Sequence, residues 1–100
     1  MDPWARGDYL AVMKDFEQFA EDELQRALSL SWRDLARVVP WGDTFEGVSP
    51  ANLTVQVERN YIWAEGEGGD ILCEVAVFLD TAHYPYAARA SRLIRRPSQA

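Results

Sequence analysis

Apolar and polar residues alternate most regularly between residues 53 and 79. The odd positions of both arms are almost all apolar: Leu53, Val55, Val57, Tyr61 and Trp63 in the first, Ile71, Cys73, Val75, Val77 and Leu79 in the second. A period of two places them on one face of a sheet, so the stretch predicts a β-hairpin with one buried face, its arms joined by the glycine-rich turn at 65–70. Setting Ala64 against Asp70 puts Trp63 opposite Ile71, Tyr61 opposite Cys73, Arg59 opposite Val75 and Val57 opposite Val77.

Arg59 breaks the apolar face. A guanidinium there needs a carboxylate or several carbonyls to offset its lost hydration. Either it reaches an acid of the first helix, or a bulge at Arg59 and Asn60 turns it outward and brings Ile62 inward; we expect the bulge. The other face carries Thr54, Gln56, Glu58, Asn60, Glu74 and Ala76, with Leu72 and Phe78 towards its ends. Leu72 and Phe78, joined by Ile62 if no bulge turns it inward, make an apolar patch beside an unpaired strand edge, a candidate partner surface.

The remaining pattern is helical at both ends. Between Asp8 and Leu28, Tyr9, Met13, Phe16, Ala20, Leu24 and Ala27 fall on one stripe flanked by Val12, Phe19 and Leu28, with Asp8 as the expected N-cap. Ser31 followed by Asp34 resembles a capping box for a short second helix from Trp32 to about Val38, stopped by Pro40. Pro40–Gly47 reads as a short edge strand, with a surface recognition loop as the alternative, and 48–52 as a turn. After Asp80, a helix capped by Thr81 is expected, with Tyr86, Ala87, Ala90, Leu93 and Ile94 on one side and Arg89, Arg92 and Arg96 on the other. The predicted fold is therefore α+β, a two-layer sandwich in which a three-stranded antiparallel meander is covered on one face by the N-terminal and C-terminal helices. Those helices would be neighbours, bringing Arg89, Arg92 and Arg96 to acids such as Glu17 or Glu21.

One hundred residues suit a single domain, with residues 1–7 and 97–100 fraying at its ends. No apolar run approaches the length of a membrane span and the N-terminus lacks a signal-peptide pattern, so a cytoplasmic protein is expected. Nine of the ten basic residues are arginine, a bias that suggests a GC-rich, bacterial genome. The net charge of −6 is unevenly spread. All acids lie before residue 81, and Arg89, Arg92, Arg95 and Arg96 lie after it. Such an acidic bulk repels phosphates, which disfavours direct nucleic-acid binding.

Little in the sequence points to catalysis. The glycines at 66, 68 and 69 have neither the spacing nor the following helix of a phosphate loop. One histidine and one cysteine cannot build a usual zinc site, and Glu65, Glu67 and Asp70 lack the spacing of a calcium loop, so no cofactor or metal is expected. Cys73 with His83 is the one nucleophile pair the composition permits, and Cys73 points to the core. The four tryptophans are the compositional excess; Trp4 and Trp41 lie in irregular segments, where exposed indoles serve as interface anchors.

The expected function is a small, non-catalytic interaction module, an accessory subunit, adaptor or inhibitor that binds another protein or a second copy of itself. Its candidate contacts are Trp4, Trp41, Phe45, Glu65, Glu67, Asp70, Leu72, Phe78, Arg89, Arg92 and Arg96. Two alternatives remain: an acidic mimic of nucleic acid, which requires its carboxylates on one continuous surface, and a small ligand-binding protein or enzyme with a pocket between helices and sheet.

Overall fold

The computed structural model describes residues 9 to 98. Helix α1 (Tyr9–Leu28) and the single-turn α2 (Trp32–Ala36) precede four strands, β1 (Trp41–Val48), β2 (Thr54–Trp63), β3 (Ile71–Phe78) and β4 (Ala88–Ile94). The strands form one antiparallel sheet in the order β1-β2-β3-β4.

The hairpin register read from the alternation is the one observed, with Arg59 against Val75, Tyr61 against Cys73 and Trp63 against Ile71, and the Ala64 amide donating to the Asp70 carbonyl at 2.9 Å. The inner face buries Val55, Val57, Tyr61, Ile71, Cys73, Val75 and Val77. Onto it α1 sets Phe16, Ala20, Leu24 and Ala27 of the predicted stripe and Val12 from its flank, all in one core cluster, while Tyr9 of the stripe is exposed and Met13 half-buried. The helix lies across β3 and β4. Its axis can approach the first half of β4 because the inward residues there, Ala88 and Ala90, are small. At the β1 end Gly47 serves the same purpose, since a Cβ on it would stand 2.9 Å from the Phe19 ring.

The start of α2 follows the sequence reading, with Ser31 Oγ accepting from the Asp34 amide at 3.1 Å. It ends at Ala36, two residues short of the expected Val38. The Trp32 indole then donates to the Gly69 carbonyl at 2.8 Å and tilts against Trp63, tying α2 to the turn between β2 and β3. The N-cap expected at Asp8 lies outside the described residues.

Three expectations are corrected. The sheet has four strands, and the segment read as a C-terminal helix is a 3-10 turn (Thr81–Tyr86) followed by β4. Asp80, not Thr81, caps that turn, accepting from the His83 amide at 3.0 Å. The physical reason is the position of β3. It buries Ala76 and Phe78 on its outer face as well as its inner residues, and a strand so enclosed leaves costly orphan amides and carbonyls unless both edges are paired. Pairing overrides the helix preference of Ala87, Ala90 and Leu93. The third correction concerns the bulge: the alternation of β2 runs unbroken, Arg59 faces inward and Ile62 faces out.

Among the described residues no helix is long and apolar enough to cross a membrane.

Candidate functional site

Arg59 is held in a layer of its own on the inner face of β1 and β2. Its cross-strand partner is Asp43, and the residues two positions either side of Asp43 are Trp41 and Phe45. The guanidinium donates through Nε to Asp43 Oδ1 at 2.8 Å and through Nη2 to Asp43 Oδ2, a two-pronged pairing of fork and carboxylate. It lies 5.1 Å from the Trp41 ring centre and 4.7 Å from that of Phe45, so both ring faces flank the cation. Glu23 of α1 adds a second carboxylate 3.9 Å from Nη1; its side chain is 6% exposed and its Oε2 accepts no hydrogen bond. Trp41 also stacks on Tyr61, centroids 4.8 Å apart. Asp43, bonded to the guanidinium, is held below its usual carboxylate range, and burial pushes the Tyr61 phenol up. Trp41 and Phe45, expected as contact residues, are thus half-buried parts of a packed layer, although β1 is an edge strand and leaves one rim of that layer open.

The outer face is different: among the described residues no α-helix lies across it, and the 3-10 turn covers only its Phe78 end. Cross-strand pairing arranges it in rows of Glu58, Ala76 and Arg89, then Asn60, Glu74 and Ser91, then Ile62, Leu72 and Leu93. The last row is aliphatic, with Ile62 38% and Leu93 45% exposed. Between the first two rows the small, buried Ala76 leaves a hollow of about 180 Å³ walled by Glu58, Asn60, Glu74, Arg89 and Ser91. Glu58 Oε1 accepts from Tyr84 Oη at 3.1 Å and from Asn60 Nδ2 at 3.3 Å. Arg89 lies over the Tyr84 ring, 4.8 Å from its centre. Among the described residues no cation pairs with Glu58 or Glu74.

The structure brings some predicted contact residues together and separates others. Leu72 belongs to the aliphatic row, and Glu65, Glu67 and Asp70 lie in the turn beyond it, lining the same open depression as Leu72 and Leu93. Phe78 is corrected: it is 5% exposed, covered edge-on by Tyr84 of the 3-10 turn. The three arginines do not share a helix face. Arg89 points outward; Arg92 points inward and bonds Glu21 of α1 at 2.9 Å, the expected partner reached from a strand instead of a helix; Arg96 follows β4, its amide donating to Asp70 and its guanidinium over Trp32. Trp4 lies outside the described residues. The acids of α1, Glu17, Glu21 and Asp22, and those of the hairpin turn, Glu65, Glu67 and Asp70, stand on separate elements, which gives no support to a single carboxylate array.

Cys73 and His83 are not a pair. The thiol is buried in mid-strand beneath α1, and burial raises its pKa to about 11. His83 instead meets Asp80, Nδ1 to Oδ1 at 2.6 Å, and that contact holds the Asp80 carboxyl low. A thiol so placed is inert. Native protein at pH 8 should therefore take up no iodoacetamide over an hour, measured by mass, whereas denatured protein is fully alkylated; equal uptake in the two states would contradict the burial of β3. Among the described residues no group of three or more His, Cys, Asp or Glu is arranged to hold a metal.

The residues the sequence reading missed are Leu93 and Ser91, assigned to a helix, and Glu58, Asn60, Glu74 and Tyr84, not named as contacts; Ile62 is expected inward with the bulge and on the solvent-side patch without it. Comparison of the chain with protein-family models, with curated proteins and with solved structures finds no match.

Proposed function

We propose that this chain is a small non-catalytic interaction module that docks a partner protein against the outer face of its sheet. The observation that carries the reading is the aliphatic row Ile62–Leu72–Leu93, in register on a face that no described α-helix covers and directly beside two carboxylates with which no described cation pairs. Antiparallel sheets tolerate one solvated face, but that face is then normally polar along each strand. Three aliphatic side chains across three strands make a contiguous apolar strip instead, and such strips mark contact surfaces. A role as accessory subunit, adaptor or inhibitor fits a chain whose polar groups are spent on packing layers. The hollow at Ala76 is on the opposite side of the sheet from α1 and so belongs to the docking face.

The test compares capture by three immobilised proteins from lysate of the source organism: wild type, an Ile62→Glu/Leu93→Glu variant, and a Leu10→Glu control. Leu10 is 71% exposed on α1, which makes it a matched apolar-to-acidic change elsewhere. Wild type and control should retain the same protein in near-stoichiometric amount, and the double variant should lose at least tenfold of it. The purified pair should then reconstitute with the same ranking. Self-association is read separately by sedimentation, as a concentration-dependent dimer that the double variant abolishes. Equal capture by all three proteins, or no partner and no dimer, would defeat the proposal.

A further inference from the structure

We infer that the occupant of the outer face is an extended segment of a partner protein, presenting a basic side chain to the Glu58–Glu74 hollow and an aliphatic side chain, two positions along, to the Ile62–Leu72–Leu93 row. This rests on the docking reading above and adds the chemistry of the partner.

The argument starts from charge. Glu58 and Glu74 sit on neighbouring strands as diagonal neighbours, since Glu58 faces Ala76 and Asn60 faces Glu74. Two like charges at that separation disfavour each other unless a cation lies between them. Glu58 is oriented by neutral donors, the Tyr84 hydroxyl and the Asn60 amide, which fix the carboxylate without neutralising it. Glu74 makes no hydrogen bond or ion pair among the described residues. The guanidinium of Arg89 walls the same hollow but rests on the Tyr84 ring and pairs with neither carboxylate, so the two acids still outnumber the one described cation there. The floor of the hollow is the methyl group of Ala76, so an alkyl stem entering it meets apolar surface while its charged end meets oxygen.

Spacing supplies the second requirement. From the Asn60–Glu74–Ser91 row to the Ile62–Leu72–Leu93 row is two residues along each strand, about 6.8 Å at a strand's rise. An extended peptide lying along the strands puts its residues i and i+2 on one side at the same interval. A basic residue followed or preceded at two positions by an aliphatic one is therefore matched to both rows at once. The acids of the hairpin turn, Glu65, Glu67 and Asp70, lie beyond the aliphatic row with the single described cation Arg96 in the same depression, and their excess extends the attraction for a basic segment.

The test uses isotopically labelled full-length protein, titrated with blocked pentapeptides and followed by amide chemical shifts. The probes are acetyl-Leu-Ser-Lys-Ser-Leu-amide, its arginine counterpart, and a norleucine counterpart with the same stem and no charge. The two cationic peptides should shift amides of residues 58–62, 72–76 and 89–93, bind at least tenfold more tightly than the norleucine peptide, and weaken severalfold between 20 and 300 mM salt. Glu74→Gln should reduce the cationic peptides' affinity at least fivefold and leave the norleucine peptide unchanged; the spectrum itself reports whether the variant is folded. Norleucine binding as tight as lysine overturns the basic partner while leaving the docking face standing. Shifts spread evenly over Glu17, Glu21, Asp22 and the hairpin turn overturn it as diffuse attraction to an acidic protein. No shift from any peptide also overturns it, and the docking reading is then judged on the Ile62/Leu93 capture alone.

Discussion

Phe16→Ala should lower the free energy of unfolding by about 3–5 kcal/mol, the range for deleting a fully buried aromatic side chain. Phe16 is fully buried in the middle of α1, within the cluster that includes Val75 and Val77 of β3 and Ala88 of β4. The substitution removes the ring from both α1 and the sheet. The alanines beneath the helix have no longer side chains with which to fill the space. A domain of this size has a total stability of about 5–15 kcal/mol, so the loss is a large share of it. The matched change on the same helix, Leu10→Ala, should stay within about 0.5 kcal/mol because Leu10 is 71% exposed. Urea unfolding followed by tryptophan fluorescence measures both, read as a shift of midpoint at unchanged slope. Equal midpoints for the two variants would mean that α1 does not seal the sheet.

The contrast between these positions was legible before the structure, because the α1 stripe and the hairpin alternation each repeat over enough residues to specify a face. The segment after Phe78 carried two overlapping patterns. Spacing of Ala87, Ala90, Leu93 and Ile94 suits a helix, and alternation of Ala88, Ala90, Arg92 and Ile94 suits a strand, and the second is masked because Arg92 occupies an inward position. What decides between them is the unpaired edge of β3, a tertiary demand that no local window contains. Arg59 was misread for a related reason. A charge on an apolar face looks like a break in register unless its partners are known, and here they come from β1 and α1, residues distant in sequence.

The candidate surface was legible in part. Leu72 and the acidic turn followed from the hairpin alone. Leu93 joins Leu72 only through the β3–β4 register, and Phe78 leaves the surface only because Tyr84 folds over it. The hollow at Ala76 likewise depends on a small residue lying between two strands that carry longer ones.

Arg59→Met should cost about 2–3 kcal/mol, less than the about 3–5 kcal/mol typical of breaking a fully buried pair, because Asp43 remains a third exposed and recovers some hydration. Methionine keeps an unbranched stem between the Trp41 and Phe45 rings, so the loss reports charge more than packing. The carboxylate left worst placed is Glu23, whose buried Oε2 already lacks a hydrogen bond and whose remaining ion pair is with the exposed Arg26 at 3.2 Å. Adding Glu23→Gln to Arg59→Met should therefore restore about 1 kcal/mol, whereas Glu23→Gln alone should be nearly neutral or mildly destabilising. That sign reversal is a coupling energy, obtained from the four proteins of a double-mutant cycle. Acidification supplies an independent reading. The folded pKa of Asp43 is depressed below its ordinary value of 3.8, so the stabilisation it draws from Arg59 is present above that value and is lost as pH falls through the depressed one. The stability gap between wild type and Arg59→Met should hold from pH 7 to about 4 and narrow below it, because protonation of Asp43 takes the charged pairing away from the wild type, whereas the methionine variant has no such pairing to lose. A gap that stays constant down to pH 2 would assign the cost to the rings and the stem, and the layer would then be held by stacking on Arg59 more than by its charge.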